Sequence, residues 1–251
     1  MKYKLSRVLS TFVLITGCAN VGAAEIFWTD WLGSDTDPST GFESSGTITT
    51  NTSVINVTYT NANGISFYQS SGGTDYWQNA RSGRNAANSP YTSAEVDNIP
   101  TGTDIIALRY AGNQTLVFSE AIANPVFSYV SLNGNGYAFD QDFDILSVGG
   151  VDGNSSGYWG SGTSFKETVD VGNGVLEYRL LGTGEPHGTL QFKGAFDTVT
   201  WRSLSNENWN GFTVGVVGTA AEVFPNDIPA PGVLLLMGLG FAGVRLARKT
   251  K

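Results

Sequence analysis

Three aspartates alternate in one short stretch, at Asp140, Asp142 and Asp144. Alternate side chains of an extended segment face the same side, so these carboxylates could converge on one point. Hard carboxylate oxygens are the ligands that calcium prefers. The glycine and glutamate of an EF-hand loop are missing at the required spacing. The pattern therefore fits either a bound calcium or a solvated acidic edge, and it indicates no other cofactor.

The single histidine, His187, stands two residues after Glu185 in the segment Glu185-Pro186-His187-Gly188. An acid and an imidazole this close could form a general-base pair or part of a metal site. Glu185 and Glu207 could also serve glycoside hydrolysis if the fold brings them together, which the sequence leaves open. The simpler interpretation is a structural histidine that hydrogen-bonds a neighbouring loop. No nucleophile motif accompanies these residues, so we predict no catalytic residue.

The chain has six tryptophans and ten tyrosines. A flat apolar ring that remains exposed can stack on the C–H face of a sugar. Trp201 alternates with Val199 in a predicted strand and is expected in the core. Trp77 and the pair Tyr158-Trp159 lie in turn-rich segments, so we predict that they form an exposed carbohydrate platform.

Alternation of apolar and polar residues, interrupted by Gly, Asn, Asp and Ser, dominates residues 25–224. It predicts one all-β domain, an antiparallel β-sandwich of jelly-roll type. Residues 74–100 show no such alternation and are expected to form a long surface insertion. The predicted strands are residues 47–59, 65–69, 104–110, 114–119, 125–132, 174–181, 189–193, 198–203 and 212–217.

Residues 1–24 have the three parts of a secretory signal peptide. The first seven residues include the basic residues Lys2, Lys4 and Arg7, an apolar run follows at 8–15, and small residues end the segment at Ala23 and Ala24. We therefore expect export through the inner membrane and cleavage at Ala23 or Ala24.

Residues 15–18, ending at Cys18, also resemble a lipobox. If that site is used, Cys18 becomes the lipidated first residue of the mature protein. Cys18 is the only cysteine, so the rest of the chain can form no disulfide and no thiolate metal site. The stability of the domain must come from a packed core.

The exported part of the chain is strongly acidic. All 22 acidic residues but only seven of the 14 basic ones lie between Glu25 and Asp227, a net charge of −15 for that segment. Such a surface repels nucleic acid and anionic membranes. We therefore expect no nucleic-acid partner.

Residues 225–251 combine a proline pair, a short apolar run and a basic tail. The proline motif is Pro229-Ala230-Pro231-Gly232, and the tail contains Arg245, Arg248, Lys249 and Lys251. The apolar run at 232–244 is shorter than the roughly 20 residues of an untilted membrane helix. A basic end stays in the cytoplasm. We therefore predict a minimal transmembrane helix with a cytoplasmic C-terminus and an external domain.

This C-terminal pattern resembles the PEP-CTERM sorting signal of Gram-negative bacteria, in particular its variant with a Val-Pro-Leu-Pro-Ala-like core. Ala230 stands where the motif has glutamate. Segments 157–162, 185–192 and 209–215 are similar to phrases in proteins that carry this signal. The resemblance implies cleavage by an exosortase, a membrane protease, and delivery to an exopolysaccharide-rich cell surface or matrix. It implies no activity for the domain.

The sequence therefore predicts a non-enzymatic, exported cell-surface or matrix protein that is transiently anchored in the membrane. The alternative is a carbohydrate-binding or carbohydrate-degrading β-sandwich, which exposed aromatic rings or two carboxylates in one cleft would favour. An ice-binding or adhesive surface would instead require a flat face of threonines, for which the Thr-rich stretch at 47–52 is the only hint.

Overall fold

The computed structural model describes residues 22–34 and 41–225. Cys18, the proline motif, the apolar C-terminal run and the basic tail lie outside these residues. The strands are β1 (Phe27–Trp28), β2 (Asp30–Ser34), β3 (Phe42–Thr49), β4 (Val54–Asn61), β5 (Phe67–Gln69), β6 (Ile105–Leu108), β7 (Gly112–Ala123), β8 (Val126–Val130), β9 (Gly136–Phe139), β10 (Phe143–Val148), β11 (Gly162–Asp170), β12 (Leu176–Gly184), β13 (Gly188–Phe192), β14 (Ala195–Ser203), β15 (Asn210–Val216) and β16 (Gly218–Thr219).

These strands form two antiparallel sheets. The seven-stranded sheet has the order β10-β13-β8-β15-β6-β5, and β1 also pairs with β15. The nine-stranded sheet has the order β11-β12-β9-β14-β7-β4-β3-β2, and β16 also pairs with β7. The prediction of an all-β, two-sheet domain is therefore confirmed.

A single aromatic core lies between the two sheets. Phe127 on β8 stacks on Phe212 of β15, with ring centroids 4.9 Å apart. Trp201 on β14 meets the edge of the Phe127 ring at 5.5 Å and is 3% exposed. The predicted core position of Trp201 is thus confirmed, and the alternation along β14 is what places it there.

Strands β8 and β15 are buried at every position, which an ordinary half-exposed strand would not be. The reason is that residues 74–100 cover the outer face of the seven-stranded sheet. Trp77 and Tyr91 of this segment form a second buried cluster with Ile105 and Val130. The expected surface insertion is therefore wrong in one respect, because the segment forms a packed layer rather than a loop in solvent.

Two other predictions need correction. The single strand expected at 47–59 is a hairpin of β3 and β4, because Thr50 turns the chain by accepting a hydrogen bond from the Ser53 amide at its hydroxyl, 3.0 Å away. The predicted strands also omit six strands of the structure: β1, β2, β9, β10, β11 and β16. The one α-helix of the described residues, α1 (Ala220–Val223), has four residues, and no helix in this part of the chain could span a membrane.

Candidate functional site

The three aspartates proposed for calcium turn to three different partners. Asp140 accepts a hydrogen bond from Thr200 at 2.8 Å, Asp142 pairs with Lys166, and Asp144 pairs with Lys193. The hydrogen bond from Lys193 lowers the pKa of Asp144. Within residues 22–34 and 41–225, no group of three or more His, Cys, Asp or Glu is placed to hold a metal ion.

The Thr-rich stretch does not form a flat surface. Thr49 ends β3, while Thr50 and Thr52 lie in the turn that follows. Both of these hydroxyls donate to the carboxylate of Glu222, at 2.9 Å in the case of Thr50. Glu222 also accepts from the Thr219 amide, 2.6 Å away, in the capping box of α1. These threonines therefore fix the end of the domain to the β3–β4 turn.

Trp77 is fully buried, at 0% exposure, so its prediction as a stacking platform is wrong. Its indole N–H donates to the Asp104 carbonyl at 3.1 Å, and its ring meets Tyr91 edge-on at 5.0 Å. Turn-rich local sequence indicates a surface loop. It cannot show that the loop folds back over a sheet and buries its own tryptophan.

His187 is also fully buried. Its Nδ1 lies 3.1 Å from the hydroxyl of Tyr91, and its Nε2 has no hydrogen-bond partner. A Cβ at Gly157 would overlap the imidazole ring, so this position has room for glycine alone. Burial lowers the pKa of His187 to about 3, so the ring is neutral at neutral pH. It is a core residue and has no carboxylate partner that would make it a general base.

Glu185 and Glu207 line the same cleft of about 360 Å³, together with Trp159. The fold thus brings the two carboxyl groups to one cleft, a possibility that the sequence left open. The other lining residues are Ser131, Asn133, Asn208 and Trp209. The cleft therefore has aromatic rings, amides and carboxylic acids around one space.

Four loops build the cleft, and each follows the end of a strand. They follow β8, β10, β12 and β14. Backbone hydrogen bonds join them: the Leu132 amide donates to the Pro186 carbonyl at 3.1 Å, and the Glu185 amide donates to Ser161 at 3.2 Å. The amide of Ser205 donates to the Asn135 side chain at 2.9 Å. The loops are thus held by the sheets and by each other.

Glu185 is held by neutral donors. Its carboxylate accepts hydrogen bonds from the Ser131 hydroxyl and from the Asn133 amide nitrogen, the latter at 2.7 Å. Ser131 has a left-handed backbone, with φ 56°, which turns the chain out of β8 toward the cleft. None of the ion pairs in the described part of the chain includes Glu185. No cation within residues 22–34 and 41–225 therefore neutralises its charge.

Glu207 differs from Glu185 in its hydrogen bonds and in its protonation. One carboxyl oxygen accepts from Asn210, whose own oxygen accepts from the Tyr137 hydroxyl. The other oxygen, Oε2, is buried without a partner. Burial, to which the charge of Glu185 adds, raises the pKa of Glu207 to about 8. At neutral pH Glu207 is therefore mostly protonated.

The aromatic wall centres on Tyr76. Its ring meets Tyr158 edge-on at 5.1 Å and Trp209 at 5.0 Å. Trp159 meets Tyr158 at 5.0 Å and Trp209 at 6.3 Å, both nearly perpendicular. Trp159 is 42% exposed, unlike the tryptophans of the core. Its neighbours fix the ring in place while a large part of it faces solvent.

A cation lies on this wall. The guanidinium carbon of Arg81 is 4.3 Å from the Trp159 ring centroid and 4.8 Å from that of Tyr158. Its Nε donates to the Tyr158 carbonyl at 3.0 Å. Arg81 and the preceding Ala80 both have positive φ, 60° and 49°. Two consecutive left-handed residues without glycine are strained, and such strain is concentrated at functional sites.

Sequence reasoning found Tyr158, Trp159, Glu185 and Glu207 but missed Asn133 and Arg81. Arg81 lies far along the chain from the residues that line the cleft, and nothing in the local sequence of Asn133 distinguishes it from the asparagines of other turns. The signal that was available was Glu207-Asn208-Trp209, an acid and an indole two residues apart in a loop.

Comparison of the chain with family models, curated proteins and solved structures yields no match.

Proposed function

We propose that this chain is an exported surface protein whose β-sandwich binds a saccharide, without cleaving it, in the cleft lined by Trp159, Glu185 and Glu207. The observation that supports this proposal most is a half-exposed, fixed indole beside carboxylates and amides in one cleft. Saccharide sites need this combination, because a sugar ring has an apolar C–H face and a rim of hydroxyl groups.

The polar side chains supply the second part of that combination. Asn208 is exposed, and Asn133 uses only one of its donors on Glu185. Each oxygen of Glu185 has a lone pair beyond the one already used, so the carboxylate can accept from two neighbouring hydroxyls. The cleft volume of about 360 Å³ falls in the usual range of small-molecule sites, roughly 300–1,000 Å³.

Binding fits this cleft better than hydrolysis. A glycosidase acid must hand its proton to the glycosidic oxygen, so one of its oxygens must face the substrate. In Glu207 one oxygen is engaged by Asn210 and the other is buried. The protonated acid thus faces the protein. We expect the protein to release no reducing sugar from any polymer that it binds.

The sorting part of the proposal is supported by the two ends of the sequence. We propose a signal peptide at 1–24, a sandwich of jelly-roll connectivity at 25–224, and a C-terminal signal with a short membrane helix at 225–251. An exosortase-type protease acts at Pro229-Ala230-Pro231. The saccharide is then the exopolysaccharide of the surface to which the protein is delivered.

The sorting proposal is tested by the intact mass of the protein released from its host, beside the double variant Pro229→Ala, Pro231→Ala. We expect a released chain that begins near Ala24 and ends near Pro231, and a variant retained uncut in the membrane. A released chain that still ends at Lys251 would overturn the processing claim.

The binding proposal is tested with Trp159→Ala and a matched control, Phe165→Ala. Phe165 on β11 is similarly exposed, at 48%, but does not line the cleft. Calorimetric titration of the full chain with soluble oligosaccharides should show an affinity about tenfold lower for Trp159→Ala, the value of one stacking contact. Equal affinities of the two variants would contradict the proposal.

A further inference from the structure

We infer that the saccharide bound in this cleft carries free amino groups, as in a de-N-acetylated hexosamine polymer, and is recognised as a cation. This inference rests on the proposed saccharide-binding function and specifies its substrate class. It follows from three features of the site: the charge of its lining, the partners of Glu185, and the aromatic wall.

The lining contains two carboxylic acids and no basic side chain. Its members are Ser131, Asn133, Trp159, Glu185, Glu207, Asn208 and Trp209. A site for an acidic sugar would need Arg or Lys among these residues, because a uronate would otherwise meet Glu185 as a like charge. A neutral sugar needs hydroxyl partners, which amides provide without the cost of desolvating a carboxylate.

Glu185 has a charge that the described residues leave unbalanced. Ser131 and Asn133 orient the carboxylate through neutral hydrogen bonds, and no Lys or Arg of the described residues forms an ion pair with it. An ammonium group of the ligand would make a charge-assisted hydrogen bond there, which is about twice as strong as a neutral one. The carboxylate is thus pre-oriented for a cation that none of the described residues supplies.

The aromatic wall already holds a cation. The Arg81 guanidinium lies over Trp159 and Tyr158, 4.3 Å and 4.8 Å from their ring centroids. The indole of Trp209 lines the cleft and has no such cation among the described residues. Indole is the best of the aromatic rings for cation–π attraction. An ammonium group in the cleft would therefore meet the Glu185 carboxylate beside an indole over which no cation of the described residues lies.

The charge of the exported part of the chain favours the same ligand. The net charge of −15 between Glu25 and Asp227 would attract a polycation before contact. It would not assist a neutral chain.

The test compares two ligands that share one backbone: the β-1,4 hexamer of glucosamine and the hexamer of N-acetylglucosamine. Calorimetric titration of the full chain at pH 6, at low and at high salt, should show the glucosamine hexamer binding about tenfold more tightly at low salt. This preference should shrink at high salt, because screening weakens charge pairs.

Glu185→Gln should reduce the preference to about threefold or less, while Glu43→Gln, an exposed acid on β3, should leave it unchanged. A melting curve establishes that each variant folds, and the comparison of the two ligands on the unsubstituted chain needs no variant.

If the N-acetylated hexamer binds equally or more tightly and Trp159→Ala weakens it, the amino-sugar inference fails and the saccharide site remains. If Trp159→Ala affects neither ligand, the site itself fails. Calcium that binds through Glu185 and displaces the glucosamine hexamer would also overturn the inference.

Discussion

Two groups of aromatic residues lie side by side and are built from the same three chain segments, 76–77, 157–159 and 185–187. One residue of each segment enters a closed cluster and another enters the open cleft region. The closed cluster receives Trp77, Gly157 and His187, and the cleft region receives Tyr76, Trp159 and Glu185. Neighbouring residues of the same segments therefore lie in the closed cluster and in the cleft region.

The two groups differ in how far they are exposed. In the closed cluster Trp77 and His187 are fully buried, and the His187 Nε2 has no hydrogen-bond partner. In the cleft region Trp159 is 42% exposed, and the Glu185 carboxylate, which accepts from Ser131 and Asn133, lines an open cleft. The difference teaches that one part of each segment packs the domain, while another part of the same segment stays accessible to solvent.

The largest expected effect separates the two tryptophans of this comparison. Trp77→Ala should lower the free energy of unfolding by about 3–5 kcal/mol, since it removes a fully buried indole and leaves a cavity. Trp159→Ala should cost about 1 kcal/mol or less, because much of the ring is already in water. Urea denaturation measures both values. Similar losses for the two variants would show that Trp159 is a packing residue and would break the comparison.

The next effect concerns the contact that joins the two groups. Gly157→Ala should destabilise the domain by about 1–3 kcal/mol, because the new methyl group overlaps the buried His187 ring. It should also weaken saccharide binding, since Trp159 is two residues along the chain. Gly33→Ala is the control, because its Cβ would meet only Ser45 Oγ at 3.7 Å. A variant that loses stability but binds normally would show that the cleft does not depend on the closed cluster.

Much of the fold could be predicted from alternation, because a strand with one buried face repeats every two residues. Trp201 and the apolar positions of β14 were found in this way. Alternation did not reveal burial that has another cause. Trp77 lies in a segment without alternation, and it is buried because that segment covers a sheet. The hairpin inside 47–59 was missed although its turn contains Asn51 and Ser53, because the β-branched residues on both sides of the turn made the segment look like one strand.

The cleft was predictable in its parts and not in its arrangement. Tyr158, Trp159, Glu185 and Glu207 were recognised as residue types that could bind or cleave a sugar. Their meeting depends on four loops whose proximity follows from strand order, and local sequence carries no information on that order. The same limit explains why the alternating aspartates near β10 looked like a ligand set, although each has its own partner.

The smallest expected effect is on the pH dependence of stability, in which Glu207 of the cleft is compared with His187 of the closed cluster. The pKa of Glu207 is raised from 4.5 to about 8 in the folded protein, so the folded state holds its proton more tightly than the unfolded state. The stabilisation that the folded state gains from protonated Glu207 is complete below pH 4.5 and is lost as the pH rises toward 8. His187 behaves oppositely, since its pKa is lowered from 6.5 to about 3 and its contribution is lost as the pH falls below 6.5.

The two groups can therefore be measured in separate pH windows. Burial raises the pKa of Asp104 to about 6, so the contribution of Asp104 to stability is lost as the pH rises toward 6 and changes little above it. The contribution of His187 changes below pH 6.5. The range from pH 6.5 to 8.5 therefore isolates Glu207 from both groups. Across this range the free energy of unfolding should fall by on the order of 1 kcal/mol, a value reduced from the full shift because Glu207 is partly screened by solvent. Glu207→Gln should abolish the fall, and Glu43→Gln should retain it. If the unsubstituted protein shows no fall, Glu207 is already ionised at neutral pH, and the cleft has two negative charges before any ligand binds.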